Sequence, residues 1–144
     1  MFTVALNLAD ARRGCLFVIL NDEENRDALL ASGDLLSAPS SPEHPTSKQQ
    51  LHYLLCGKRV LDMSAPVLES IARIDGAIVL SRNSDLLAFG AILHPPLTLA
   101  YSLSPSEGGR TMTALNASWS GKILKVSEDG QPVFYENGSC IWEM

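Results

Sequence analysis

Cys15-Leu-Phe-Val-Ile-Leu20 is a continuous apolar run of strand length. A strand with one wet face alternates apolar and polar residues, so an unbroken run predicts a strand covered on both faces. A second short run, Ile78-Val79-Leu80, sits inside a predicted strand at Gly76–Ser81. Strands buried this way need layers on both sides of a sheet. With 144 residues the chain fits one domain spanning 1–144, either whole or part of a longer protein. A chain of that size can bury a core without staples.

The remaining pattern fills in those layers. Residues 2–12 read as an amphipathic helix with Val4, Ala5, Leu8 and Ala11 near one stripe, broken by Gly14. Asn21-Asp22 can cap a helix over Glu23–Ala31 that Gly33 stops. Pro39, Pro42 and Pro45 mark an irregular surface loop within 34–47. Gln49–Cys56 reads as another helix. Ser64 caps a further one, with Pro66 in its first turn and Val67, Leu68 and Ile71 facing inward. Gly76–Ser81 and Leu86–Leu93 read as a hairpin pair ended by His94-Pro95-Pro96. After a loop come a short helix over Thr111–Ala117 and strands at Lys122–Ser127, Pro132–Glu136 and Ser139–Glu143. The turns between those strands are Glu128-Asp129-Gly130 and Asn137-Gly138. Early helices followed by hairpins predict an α/β fold, a twisted mixed sheet surrounded by helices.

Composition narrows the function. The formal charge is −5 and the basic residues are scattered, which argues against nucleic-acid binding through a basic face. No run approaches the roughly 18 apolar residues of a membrane span, and no signal peptide is evident, so a cytoplasmic location is expected. Cys15, Cys56 and Cys140 are far apart and odd in number, and they read as buried free thiols in a reducing compartment. His44, His52 and His94 have no metal-ligand spacing with them.

Two stretches can carry chemistry. In Ser106-Glu107-Gly108-Gly109-Arg110-Thr111-Met112-Thr113-Ala114-Leu115, two glycines precede a helix start. Backbone N–H groups and the helix dipole there suit an anion. Arg110 adds a fork for phosphate or carboxylate, and the Thr111 and Thr113 hydroxyls can donate. The plain alternative is a structural Gly-Gly turn. In Asp75-Gly76-Ala77, the carboxylate stands just before a strand. It either holds a metal or hydroxyl, or simply closes a turn. Ser127-Glu128 ends another strand; Glu128 either aims at the same site or is a solvated turn acid.

These elements arrive in order: Ile74-Asp-Gly-Ala-Ile-Val-Leu80, Ala88-Phe-Gly-Ala-Ile-Leu93, the Gly108–Ser118 turn and helix, then Ile123-Leu-Lys-Val-Ser-Glu-Asp-Gly130. The order resembles the diadenylate cyclase domain family (DisA N-terminal domain). The likeness is good over 64–140, looser over 1–32, and 34–60 does not align. The resemblance implies a twisted mixed sheet wrapped by helices. It implies two domains face to face, hence a homodimer, making cyclic di-AMP from two ATP with Mg or Mn. By position, Asp75, Gly76 and Ala77 would bind nucleotide, with Asp75 catalytic in an active enzyme. Gly108, Gly109, Arg110, Thr111, Thr113, Ser118, Ser127 and Glu128 would line the nucleotide site. Asp75 and Glu128 would be the metal residues.

The chain departs from the family at one place. The family's Gly-Thr-Arg-His-Arg stretch reads Gly108-Gly-Arg-Thr-Met112 here. Thr111 stands for His and Met112 for the second Arg, and Met cannot replace a bidentate cation. Losing one charge-stabilising donor costs about 10²–10³ in rate, and two are gone. The Arg-x-x-Thr-Ala-Leu pattern and the Ser-Glu-Asp-Gly turn are similar to branches proposed as nucleotide sensors in bacterial signalling and defence. The resemblance therefore implies a catalytically degenerate domain that senses a nucleotide or cyclic dinucleotide without a cofactor. Its effector would be a separate protein or a fused domain. The alternatives are an active diadenylate cyclase using Mg or Mn, and a scaffold that binds no ligand.

Overall fold

The computed structural model describes residues 1–36, 46–95, 108–128 and 131–144. The three prolines of the 37–45 stretch, Ser106 and Glu107, and the Asp129-Gly130 turn lie outside the described residues.

Six strands form one sheet in the order β3-β2-β1-β4-β5-β6. They are β1 (Cys15–Leu20), β2 (Ala77–Leu80), β3 (Leu86–Ala91), β4 (Gly121–Val126), β5 (Val133–Glu136) and β6 (Ser139–Glu143). β1 runs parallel to β2, and every other neighbouring pair is antiparallel. The fold is thus α/β with a mixed sheet, as expected. β1 lies at the centre because its whole length is apolar, and five of its six residues are fully buried.

Alternation along the central strands sends side chains into two cores. Phe17, Ile78, Leu80, Phe89, Leu124 and Val126 meet helices α1 (Phe2–Asp10) and α4 (Ala65–Ala72) on one face. Leu16, Val18, Leu20, Val79, Ala88 and Ile123 meet α5 (Gly109–Ala117) and α2 (Arg26–Leu29) on the other. The last helix, α3 (Ser47–Leu55), starts with a capping box between Thr46 and Gln49. Among the described residues no helix is long and apolar enough to cross a membrane.

Several local readings shift. α1 stops before Gly14: Arg12 takes the left-handed conformation at φ 52°. The Arg12 and Arg13 N–H groups donate back to Ala9 and Leu8, closing a Schellman-type end. The helix expected at 23–31 is a 3₁₀ turn, Glu23–Asn25, followed by the short α2. Leu30 leaves it for an extended conformation and a bridge to Leu93, so Gly33 does not end the helix. Val67 is exposed: the buried stripe centres on Leu68, Ile71 and Ala72, and Val67, one 100° step from Leu68, lies at its outer margin. Of the three thiols only Cys15 is buried; Cys56 is half-buried and Cys140 is exposed. Cys140 fails the expectation because β6 is the edge strand of the sheet and all five of its residues are exposed.

Phe17 is fully buried at the middle of the sheet. Phe17→Ala is expected to cost about 3–5 kcal/mol in urea denaturation. A loss below about 1 kcal/mol, the size of an ordinary surface change, would contradict the packing described.

Candidate functional site

Strand direction decides what meets at one end of the sheet. The parallel register pairs Leu16 with Ala77, so β1 and β2 begin at the same end. The antiparallel registers pair Cys15 with Val126 and Ala77 with Ala91, so β4 and β3 finish there. Asp75-Gly76 before β2 and Ser127-Glu128 after β4 therefore lie at one edge. The first turn of α5 lies over the same edge. A cleft of about 1430 Å³ opens between them, lined by Asp75, Gly76, Ala77, Gly108, Gly109, Arg110, Thr111, Thr113, Ser127 and Glu128.

The Arg110 guanidinium stands between the two carboxylates. Its Nη2 is 3.9 Å from Asp75 Oδ1 and its Nη1 is 3.7 Å from Glu128 Oε1. Both distances are ion-pair range and too long for hydrogen bonds, so neither carboxylate locks the donors. The Asp75 side chain is fully exposed, and solvent screens its share. The two carboxylates do not fit a divalent ion as protein ligands alone: a cation occupies the space between them. Among the described residues no three His, Cys, Asp or Glu side chains gather at one point.

Glycines let backbone come close here. Gly76 has φ 117°, and a Cβ on it would sit 2.5 Å from the Gly90 carbonyl carbon. Lys48 braces the same corner, donating to the Gly90 carbonyl at 3.1 Å and to Asp34 at 2.8 Å. At Gly14 a Cβ would collide with the Arg110 guanidinium. Gly14 therefore gives Arg110 its seat, a role invisible from Gly14's position in the chain.

The expected anion cradle is narrower than the sequence suggests. The helix begins at Gly109 with Gly108 as its N-cap, so the glycines start the helix and do not form a loop before it. The helix supplies no acceptor for its first N–H groups, those of Gly109 and Arg110. Thr113 turns its hydroxyl inward, donating to the Gly109 carbonyl at 2.9 Å. Ala77 lines the cleft and is almost wholly buried. Ser118 does not line the cleft. Its buried hydroxyl donates to the Leu115 carbonyl at 2.7 Å and accepts from the Gly138 N–H at 2.9 Å, tying α5 to the β5–β6 turn.

Several cleft residues escaped the sequence reading, among them Arg12, Lys125, Tyr135 and Glu143. Lys125 was the legible one, a lone cation inside the apolar stretch Ile123-Leu-Lys-Val126. Its Nζ donates to Thr111 Oγ1 at 2.8 Å and stands 5.8 Å from the Tyr135 ring centre. Behind Arg110, burial pushes the Cys15 thiol from 9 up to about 12, against a smaller downward pull from that guanidinium.

No protein-family model and no curated protein matches the sequence. Solved structures do match. A hypothetical membrane-spanning protein from Bacillus cereus shares 27% identity at a TM-score of 0.65. The match covers 96% of this chain and 59% of that one, so the chain spans well under two thirds of that protein's length. DacA from Staphylococcus aureus, a diadenylate cyclase solved as a double mutant, matches at a TM-score of 0.57. It shares 18% identity, with 99% of this chain and 82% of that chain covered. The fold is diadenylate cyclase-like.

Two outcomes follow from the geometry. Gly14→Ala leaves the fold intact, since only a flexible side-chain end must move, but displaces Arg110 from between Asp75 and Glu128. The Arg110 Nε resonance should shift in an NMR spectrum; an unchanged resonance would contradict the seat. At pH 8 an alkylating reagent should modify Cys140 readily and Cys15 only after unfolding. Because the folded Cys15 thiol ionises above the unfolded one, its contribution to stability is whole below pH 9 and fades as pH climbs toward 12. Rapid labelling of Cys15 in the folded protein would contradict its burial.

Proposed function

We propose that this chain is a catalytically degenerate, diadenylate cyclase-like domain that binds a nucleotide or cyclic dinucleotide as a sensor. The observation that carries the reading is the convergence of Asp75-Gly76-Ala77 and the Gly109-Arg110-Thr111 turn on one open cleft. The two stretches are far apart in sequence, and only the mixed sheet brings them together. The cleft exceeds the roughly 300–1,000 Å³ of an ordinary small-molecule pocket, which leaves room for a nucleotide-sized ligand. The open cleft also speaks against a collapsed, purely scaffolding domain.

Chemistry supports reading a ligand over making one. Phosphoryl transfer depends on positioned charge, and the helix turn supplies one cation where the related turn in the cyclases has three basic groups. Arg110 is that cation, and Met112 carries no charge. The donor set offers no metal cage, so no catalytic step is assigned to a metal here. A homodimer and an effector, on another chain or fused to this one, belong to the same proposal.

Thermal-shift measurement against ATP, AMP and cyclic di-AMP tests it. At least one is expected to raise Tm by several degrees at a hundred-fold excess over Kd. Asp75→Ala and Arg110→Ala should abolish the shift. No shift across the panel would overturn the reading. Mass spectrometry of the ATP samples should find no cyclic di-AMP; accumulation of product would favour a working cyclase instead.

A further inference from the structure

We infer that Lys125 is an anion anchor of the cleft, holding, together with Arg110, a phosphate-class group over the first turn of α5. This deepens the nucleotide reading and rests on it for the remainder of the ligand. Lys125 lies in the interior of β4, where alternation points it to the α5 face. It is only 8% exposed, yet it lines the cleft. Among the described residues no carboxylate comes within 4.0 Å of it. Arg12, Arg13, Lys58, Arg73 and Arg82 also lack one but are exposed, whereas Lys125 is buried.

A buried ammonium without a counter-charge is costly, and one hydroxyl and an aromatic ring at 5.8 Å do not offset it. The ammonium has three donors, and Thr111 takes one. An anion in the cleft would meet the remaining donors, the Arg110 fork and the first N–H groups of α5. A lysine acts there as a point charge, which suits a phosphate approached from one side. Among the described residues the ammonium thus has no counter-charge, and a bound anion would supply one. Such a group lowers the stability of the unliganded state and raises affinity for the right anion.

The signature is a split between stability and binding. The unliganded Lys125→Met variant should melt no lower than the wild type, because removing an unpaired buried charge is neutral or stabilising. By titration calorimetry without added metal, its affinity for ATP and for pyrophosphate should fall roughly tenfold or more, while adenosine affinity stays unchanged. Lys125→Gln, which keeps a polar contact to Thr111, should show the same losses and serves if the Met variant does not fold. Wild-type affinity of both variants for ATP and pyrophosphate would overturn the inference and leave the nucleotide reading standing. Lys125-dependent binding of pyrophosphate with no nucleotide bound would sink the nucleotide reading and leave the anchor. Binding of neither by the wild type would overturn both.

Discussion

The register of β1 is the constraint on which the site depends. One apolar strand pairs in parallel with β2 and antiparallel with β4. That combination brings the start of β2 and the end of β4 to the same sheet edge. Asp75 and Glu128 reach Arg110 from opposite sides only because of it. A slip of one residue would turn every β1 side chain to the wrong core, and Phe17 would exchange faces with Leu16 and Val18. The burial of β1 on both faces is what forbids that slip. Core packing and site assembly are thus one event: the hydrophobic pattern that makes the sheet also places the charges.

Charge in the cleft is arranged loosely at its mouth and tightly within. Arg110 is held at ion-pair distances by two solvated carboxylates and backed by Gly14. Such contacts are screened and weak, so the guanidinium can turn to a ligand at little cost. Lys125 is the opposite case, nearly buried and held by a hydroxyl at 2.8 Å. The first turn of α5 carries Arg110, and Lys125 from β4 lies beneath that turn, bonded to Thr111. The result is a cleft with positive groups at two depths.

Much of the fold was legible because its signals are local. The unbroken run Cys15–Leu20 announced a central strand, and Ser64 with Pro66 marked the start of α4 at Ala65. Asp75 and Arg110 were singled out because Gly punctuation marks both stretches, and the structure brings the two side chains to one cleft. What was not legible depends on pairs distant in sequence. Gly14 looked like a helix breaker, and only the folded chain shows the guanidinium lying against it. Ser118 looked like a ligand neighbour, and its hydroxyl turns out to serve the Gly138 turn. Leu30 was read as helix because nothing nearby reveals its bridge to Leu93. Cys140 was read as buried because strand pattern does not say which strand is the edge. Lys125 was hidden in plain sight, a charge whose parity along β4 decides its face.

The central claim is that one cleft, at the shared end of β1, β2 and β4, receives a nucleotide through Arg110 and its surroundings. The most direct measurement is an amide NMR titration of the isotopically labelled protein with ATP. Saturable shifts are expected, concentrated at Gly76, Ala77, Gly109, Arg110, Thr111 and Lys125, with α4 on the opposite face of the sheet unaffected. Shifts centred elsewhere, or none at millimolar ATP, would contradict it.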